Sequence, residues 1–494
     1  MANADSPSLF PVWRVAVPVP LARLFDYRAV DGHVPSAADI GKRVRVPFGP
    51  RELVGVVAGI GMAEAESAAG LRDAGPVLDP APLLSGELYD SLGWLARYTH
   101  APLGEVFATA LPGPLRQGEP LAVAHAWAWR LTEAGHTARP KLRAGRPRQL
   151  AEMLAAAPGP LDEDRLDADD AVATGWRAAA RALAQRGLAE RVAVTASGAA
   201  AAPRLGPTLN PDQQAAVDAV LAARDGFAAL LLDGVTGSGK TEVYLHAIAD
   251  CLARGRQALV LVPEIGLTPQ TLARFRARLG VPVHALHSGL SDGERGRTWA
   301  AMARGEARVV VGTRSAVFLP LPEAGLIVVD EEHDGSFKQL DGIRYHARDF
   351  ALVRGKALGV PVLLGSATPS LESLHNARVG RYRHLRLPAR AGVAKPPHVR
   401  VVDVRKRPLE AGLSPELLEG VARALDAGGQ VLVFKNRRGY APVLLCHDCG
   451  WTAHCPRCST PEQGTPMTVH AAGRRLQCHH CGTRRPAPNA CPDC

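Results

Sequence analysis

Eight consecutive residues, Gly234 to Thr241, have the types and spacing that phosphate binding requires. They fit the pattern G-x-x-x-x-G-K-[ST], which is called the P-loop. An apolar run at 227–232 precedes them, and a helical pattern at 242–252 follows them. Glycines let the backbone N–H groups face phosphate oxygens, and the helix N-terminus adds partial positive charge. This strand–turn–helix context disfavours the alternative of a turn that binds nothing. The predicted nucleotide-binding residues are Gly234, Gly237, Gly239, Lys240 and Thr241, with Lys240 on the β- and γ-phosphates of ATP and Thr241 on Mg²⁺.

An acidic motif, Asp330-Glu-Glu-His333, closes a second apolar run. A carboxylate at the end of such a strand can hold Mg²⁺ beside the P-loop threonine, so Asp330 is the predicted metal partner. Glu331 is placed to polarise the attacking water, and Glu332 and His333 to link the nucleotide state to neighbouring segments. The alternative is a solvated strand end, which the upstream P-loop disfavours.

Two further segments have side chains suited to this site. Ser366 and Thr368 follow another apolar strand, and their hydroxyls can hydrogen-bond to the acidic motif. Upstream of the P-loop, the amide of Gln213 offers both a donor and an acceptor, which suits the edge of adenine. The competing interpretation is that Asn-Pro-Asp, just before Gln213, is a helix cap.

Eight of the nine cysteines form four Cys-x-x-Cys pairs after residue 445, and the ninth, Cys251, is expected in the core. In a reducing compartment this pattern indicates metal rather than disulfides. The inner pairs flank two hairpin arms, Thr468–His470 and Arg474–Leu476, so they can share one tetrahedral Zn²⁺ while the outer pairs hold a second. Other pairings stay open. The predicted ligands of two structural Zn²⁺ ions are Cys446, Cys449, Cys455, Cys458, Cys478, Cys481, Cys491 and Cys494.

Length, composition and net charge limit the class of protein in which these motifs occur. The chain has 494 residues, 47% hydrophobic composition and a formal net charge of +10, which excludes a disordered chain and favours a polyanionic partner. No signal peptide stands at the N-terminus, and no apolar run approaches the ~18 residues of a membrane span. We therefore expect a cytoplasmic protein that does not contact membranes.

The sequence pattern changes along the chain and predicts a series of domains that position the motifs. Alternating apolar and polar residues predict a β-rich domain at 1–115, in which Phe25 and Tyr27 either stack on a base or lie in the core. Ala, Leu and Arg at helical spacing predict a winged helix at 116–204, although any three-helix unit shows this periodicity; a linker is expected at 196–203. Short apolar strands alternating with helices predict a P-loop lobe with a parallel sheet at 205–395. A strand at 430–434 is expected to begin a second lobe, 396–445, before the zinc module at 446–494. The predicted fold is thus multidomain α/β.

Taken together and in order, these residues resemble superfamily 2 helicases, and longer strings narrow the resemblance to the PriA family of primosomal replication-restart helicases. The strings are Asp233–Tyr244, Val262–Gln270, Gly312–Ala316, Asp330–Asp334, Arg344–Asp349, Asn436–Gly439 and Cys446–Trp451. The resemblance runs from about residue 13 to the last residue. It implies a RecA-like lobe, and a zinc ribbon within the second lobe.

The resemblance also implies DNA-binding residues. Pro263, Glu264, Thr313 and Arg314 would line a single-strand track, and Phe337, Lys338, Arg344 and Tyr345 an aromatic-rich loop that couples DNA to ATP hydrolysis. For this loop the alternative is a mobile polar segment. Phe25, Asp26 and Gly49 would form a pocket for the 3′ end of a nascent strand, where Arg72 stands at a position at which the family usually has lysine.

The implied function is an ATP-dependent 3′-to-5′ DNA helicase that recognises branched or stalled forks and promotes primosome assembly. Its implied partners are branched and single-stranded DNA, other primosome proteins and single-strand-binding protein. The family continues past the last zinc ligand, through motifs that include an arginine closing the ATP site, so the chain is expected to be a fragment. The alternative function is a fork- and nucleotide-binding module without motor activity. A restriction-type translocase would need a nuclease domain, for which the sequence gives no sign.

Overall fold

The computed structural model describes residues 9–30, 32–64, 70–121, 125–163, 166, 175–195, 206–391, 398–405, 408–410, 412–434, 443–460, 464–470 and 473–494. The predicted linker and the Asn436–Gly439 string lie outside these ranges. The chain divides into two compact units, 1–394 and 395–494. None of the helices in the described ranges is long and apolar enough to span a membrane.

The first unit begins with a five-stranded sheet of order β3-β4-β1-β2-β5, which confirms the predicted β-rich start. Its strands are β1 (Leu9–Ala16), β2 (Phe25–Arg28), β3 (Arg43–Phe48), β4 (Arg51–Glu64) and β5 (Arg72–Asp73). Alternate side chains of these strands form a small core that includes Trp13, Val15 and Tyr27. Tyr27 is therefore a core residue, and its hydroxyl donates to the Pro47 carbonyl oxygen at 3.1 Å.

Three helices follow this sheet inside the segment predicted to be β-rich. They are α1 (Gly86–Thr99), α2 (Leu103–Ala110) and α3 (Gly113–Arg116). Their apolar side chains, such as Leu92 and Phe107, share one core with the P-loop lobe. The indole N–H of Trp299, in that lobe, donates to the Ala110 carbonyl oxygen at 3.1 Å. The β-rich domain and the lobe are thus packed together.

The described residues of the predicted winged-helix segment form an antiparallel sheet of order β7-β6-β8 and three helices. The elements are β6 (His125–Leu131), α4 (Glu133–Ala138), α5 (Arg146–Ala156), β7 (Leu161–Asp162), α6 (Trp176–Gln185) and β8 (Ala189–Thr195). Helices α5 and α6 agree with the helical spacing of Ala, Leu and Arg in this segment. The central strand β6 was not predicted.

The lobe at 206–391 is built on a seven-stranded parallel sheet of order β11-β12-β10-β13-β14-β9-β15, as the alternation of strands and helices predicts. The strands are β9 (Ala229–Gly234), β10 (Gln257–Leu261), β11 (Val283–Leu286), β12 (Val309–Gly312), β13 (Ala324–Asp330), β14 (Val362–Ser366) and β15 (Arg383–Leu387). The helices are α7 (Pro211–Ala222), α8 (Lys240–Ala253), α9 (Pro269–Leu279), α10 (Asp292–Ala303), α11 (Ala347–Leu358) and α12 (Leu371–Arg378). The sheet is buried on both faces, which explains why its strands are continuous apolar runs.

The second unit contains helix α13 (Pro415–Asp426) and a three-stranded sheet of β16 (Thr468–His470), β17 (Arg475–Gln477) and β18 (Arg484–Pro486). The predicted hairpin arms are β16 and β17. The strand predicted at 430–434 is wrong for this structure, which gives those residues no regular secondary structure and leaves Leu432 92% exposed. A strand forms only when a neighbour accepts its hydrogen bonds, and no described segment of this unit pairs with 430–434.

Candidate functional site

The P-loop joins the end of β9 to the start of α8, as predicted. Gly237 and Gly239 have φ of +79° and +83°, a region that L side chains rarely adopt, so the sharp turn depends on glycine. Lys240 is buried, and its ammonium donates to the Gly234 carbonyl oxygen at 2.9 Å. A phosphate that enters the loop can take over this donor.

The acidic motif stands at the same edge of the sheet, two strands away from the P-loop. Burial raises the pKa of Asp330, whose Oδ1 accepts hydrogen bonds from the Tyr244 hydroxyl (2.9 Å) and the Glu331 N–H (3.1 Å). Glu331 has a φ of +45°, which is unusual for a residue other than glycine. Its carboxylate lies 4.0 Å from the Lys240 ammonium, so the structure brings these two predicted site residues together.

Tyr244 was missed as a candidate from the sequence. It lies one helical turn after Lys240 and is almost fully buried. A side chain at Gly365 would collide with its hydroxyl, so that glycine lets the tyrosine reach Asp330. The spacing of four residues from Lys240, which puts both side chains on one face of α8, was the signal available.

His333 confirms the predicted contact between the acidic motif and the hydroxyls after β14. Its Nδ1 lies 2.7 Å from Ser366 Oγ, and its Nε2 lies 3.4 Å from Thr368 Oγ1. These contacts join the segment after β13 to the segment after β14.

The amide of Gln213 is engaged within the protein. Its Nε2 donates to the Ser238 carbonyl oxygen of the P-loop at 2.8 Å, and its Oε1 accepts from the Asn210 N–H at 3.0 Å. Asn210 and Gln213 form a capping box at the start of α7, as the helix-cap interpretation predicts. A contact between this amide and adenine requires these bonds to be exchanged.

The segments predicted to line a DNA track follow the neighbouring parallel strands β10 and β12. Pro263 and Glu264 come just after β10, and Thr313 and Arg314 just after β12, so all four lie at the edge that carries the P-loop. Arg314 Nη1 donates to the carbonyl oxygens of Ser336 (2.9 Å) and Lys338 (2.9 Å). The Arg314 guanidinium therefore holds the aromatic-rich loop in place by hydrogen bonds to its backbone.

Within that loop the aromatic and basic residues have different environments. Phe337 and Tyr345 are buried in the core, and the Tyr345 ring lies 4.8 Å from that of Phe318. Burial also raises the pKa of Tyr345 to about 12. Lys338 and Arg344 are exposed. In this conformation the basic residues, and not the two aromatic rings, are accessible to a ligand.

The predicted 3′-end residues line one cavity of about 260 Å³ in the β-rich domain. The Phe25 ring packs edge-on against Phe48 at 5.2 Å, and Asp26 and Gly49 also line the cavity. Arg72 also lines this cavity, and its Nη1 donates to the Gly49 carbonyl oxygen at 3.2 Å. The cavity thus combines an aromatic wall, a carboxylate and a guanidinium.

The eight paired cysteines form two groups, whose sulfurs lie within 4.8 Å of one another inside each group. The groups are the predicted ones: Cys446, Cys449, Cys491 and Cys494, and Cys455, Cys458, Cys478 and Cys481. A tetrahedral Zn²⁺ with Zn–S bonds of about 2.3 Å separates its sulfurs by roughly 3.8 Å. Four of the sulfur–sulfur distances are 3.5, 3.6, 3.6 and 4.0 Å. Both groups therefore fit closed Cys₄ zinc sites.

The surroundings of two of these cysteines shift their pKa values in opposite directions. The N–H groups of Cys449 and Asp448 lower the pKa of Cys446 to about 7, whereas contact with the Cys481 sulfur raises the pKa of Cys458 to about 12. The pKa of Cys458, in the other group, is raised because a second thiolate this close to the first is repelled. A bound dication removes this repulsion.

Comparison with known proteins agrees with this geometry. Residues 210–377 match the family model for DEAD/DEAH box helicases, so the P-loop lobe is a helicase domain of that class. Residues 14–112 match the PriA 3′ DNA-binding domain, and 455–486 match the Cys-rich region of PriA DNA helicase. The chain thus carries two regions that match domain models of PriA, together with a helicase domain.

Curated relatives support this assignment. The chain is 43% identical to replication restart protein PriA of Haemophilus influenzae over 97% of its own length and 65% of that protein. It is 44% identical to PriA of Bacillus subtilis over 58% of this chain and 36% of that protein, and 42% identical to PriA of Rickettsia conorii over 58% and 44%. The chain thus spans less than two thirds of the length of each of these relatives.

Proposed function

We propose that this chain is the nucleotide- and DNA-binding part of an ATP-dependent 3′-to-5′ DNA helicase that recognises branched or stalled replication forks. The observation that carries the proposal is the meeting of three features at one edge of one parallel sheet. These are the P-loop after β9, the acidic motif after β13, and the loops after β10 and β12. ATP chemistry and DNA contacts are then supported by the same rigid layer.

The residues at this edge fit Mg·ATP. The Thr241 hydroxyl and the Asp330 carboxylate are hard oxygen ligands, as Mg²⁺ requires, and the raised pKa of Asp330 reflects a buried carboxyl that a cation would stabilise as the anion. Bound Mg²⁺ supplies charge neutralisation at the phosphates. Lys240 holds the β- and γ-phosphates, and Glu331, whose side chain is 39% exposed, orients the attacking water.

The DNA contacts follow from the position of the loops after β10 and β12 and from the exposed charges of Lys338 and Arg344. Pro263, Glu264, Thr313 and Arg314 position a single strand along the sheet edge, and Lys338 and Arg344 add phosphate contacts from the aromatic-rich loop.

The cavity in the β-rich domain provides a second DNA contact. The 3′ end of a nascent strand enters beside Phe25, Asp26 and Gly49, where a ring can stack on the terminal base.

The proposal also includes a cellular role and protein partners. The relatives carry the name replication restart protein, and this supports a role in primosome assembly at forks, with primosome proteins and single-strand-binding protein as partners. Such a role takes place in the cytoplasm.

ATP turnover tests the motor. The chain should hydrolyse ATP faster with single-stranded DNA than without it, and Lys240→Ala should remove the stimulated turnover. If the wild-type chain showed no stimulated turnover, the motor proposal would fail, and fork binding without turnover would support the alternative of a non-motor module.

Fork recognition is tested separately by competition at about 0.15 M salt, where non-specific phosphate binding is weakened. A forked duplex with a free 3′ end should displace a labelled fork at lower concentration than a blunt duplex of equal length. Equal displacement by both would refute fork recognition.

A further inference from the structure

Glu332, the third residue of the acidic motif, is a fully buried carboxylate with a complete set of donors. Unlike Glu331, it faces away from the P-loop. Its oxygens accept hydrogen bonds from the Arg348 guanidinium (2.9 Å), the Ser370 N–H (2.7 Å), the Ser370 hydroxyl (3.0 Å) and the Ser373 hydroxyl (2.8 Å). A buried charge with this many partners must move together with them, because leaving any partner unpaired is costly.

Arg348 joins this carboxylate to the start of α11. Its guanidinium is largely buried, and besides Glu332 it donates to Ser370 Oγ at 2.8 Å and to the more exposed Asp349 at 2.8 Å. Helix α11 begins directly after the aromatic-rich loop, and Ser370 caps α12 after β14. The ion pair therefore ties together the ends of β13 and β14 and the end of the loop.

The loop in turn is fastened to the segment after β12. Lys338 pairs with His346 in an isolated bridge, its ammonium donates to the Arg344 carbonyl oxygen at 2.8 Å, and Arg314 holds the Ser336 and Lys338 carbonyl oxygens. The acidic motif is thus connected to Arg314 through Arg348, the backbone of residues 346–348 and the hydrogen bonds of the loop.

We propose that Glu332 and Arg348 are positioning residues that link nucleotide binding to single-strand binding. This inference rests on the proposed function, in which the P-loop edge binds ATP and the loop with Arg314 binds DNA. Movement of Asp330 and Glu331 upon nucleotide binding displaces the adjacent Glu332, and the buried ion pair passes this displacement to the loop. Coupling between two sites is reciprocal and typically amounts to about 5- to 150-fold in affinity.

The test measures this linkage without requiring turnover. The dissociation constant of a labelled oligo(dT) of about 20 nucleotides, longer than the roughly 4–16 nucleotides of common single-strand sites, is measured with and without saturating Mg·AMP-PNP. The ratio of the two constants should differ from 1 by at least about 5-fold in the wild type. It should come within about 2-fold of 1 in Glu332→Gln and Arg348→Gln, with mant-ATP affinity unchanged within the same factor.

Asp349→Asn is the matched control, because it alters the exposed partner of the same guanidinium and leaves the bond to Glu332 intact. It should retain the wild-type ratio. Circular dichroism and zinc content report on folding. If Glu332→Gln does not fold, Arg348→Gln, which breaks the same ion pair from its less buried side, decides the test with the same expected loss.

A wild-type ratio close to 1, or a folded Glu332→Gln chain that keeps the wild-type ratio, would overturn the inference. The motor proposal is decided independently by stimulated turnover and Lys240→Ala, so the two failures are distinguishable.

Discussion

Arg354 provides a quantitative test of how the β-rich domain is attached to the helicase lobe. This residue of α11 is fully buried, and its Nε and Nη2 donate to the two carboxylate oxygens of Glu87 in α1 at 2.9 and 2.7 Å. Its Nη1 donates to the carbonyl oxygens of Val317 and Leu319, both at 2.7 Å. One guanidinium therefore joins its own helix to two other segments, α1 and residues 317–319.

The perturbation is Arg354→Met, which keeps the apolar stem and removes the charge. Breaking a buried ion pair on one side costs about 3–5 kcal/mol, because the other charge is left without its partner. Two carbonyl groups also lose their donor, at about 1–3 kcal/mol each if they stay dry. Such terms are not additive within one network, so we expect a total loss of about 3–5 kcal/mol in the free energy of unfolding.

Urea unfolding followed by tryptophan fluorescence, together with limited proteolysis, measures this loss. Since α1, α2 and the lobe share one core, the β-rich domain and the lobe should unfold in a common transition. Arg304→Ala is the control, because its pair with Glu306 is solvent-exposed and should contribute only about 0–1 kcal/mol. A cost below about 1 kcal/mol for Arg354→Met would refute the reasoning. So would release of the β-rich domain while the lobe keeps its wild-type stability.

Three further outcomes are expected. Tyr244→Phe removes the hydroxyl that lowers the pKa of Asp330, so this pKa rises further; Mg²⁺-dependent ATP turnover should fall more at pH 6 than at pH 8, and an equal defect at both would contradict this. Cys478→Ala removes one ligand of the inner site, so the zinc content measured by mass spectrometry should fall from two ions to one, with loss of structure around β16 and β17; two retained ions would show that the assigned ligand set is wrong. Phe25→Ala removes the aromatic wall of the cavity, worth about 1–3 kcal/mol of stacking, so affinity for a fork with a free 3′ end should fall while affinity for internal single strand stays the same.

Much of the geometry of the P-loop and of the cysteine groups could be predicted because its signals are local. The P-loop needs glycine at fixed positions, and its strand and helix adjoin it in the chain. The four cysteine pairs and the two hairpin arms between them restrict how sulfurs can meet, and the structure brings together the inner and outer sets as expected. The buried strands of the lobe were recognisable because both faces of a parallel sheet are apolar.

Contacts between distant segments could not be predicted in this way. The helices at 86–116 are formed by apolar residues that need the lobe as a partner, and the bond between Arg354 and Glu87 joins residues far apart in the chain. Phe337 and Tyr345 lie in a segment rich in polar residues, so their burial depends on Phe318 and its neighbours in the folded lobe.

The segment 430–434 was predicted to be a strand, and the structure gives it no regular secondary structure. Its residues have strong strand propensity, yet propensity alone does not form a strand when no hydrogen-bonding neighbour is present among the described residues.

The central claim is that the edge of the sheet that carries the P-loop, Asp330 and Glu331 binds ATP and uses it in response to DNA. The most direct measurement is ATP turnover by the zinc-loaded chain with and without oligo(dT), compared with Lys240→Ala. We predict a rate that rises with DNA in the wild type and is lost in the variant. A wild-type rate that does not change with DNA, or equal stimulated turnover in Lys240→Ala, would contradict the account.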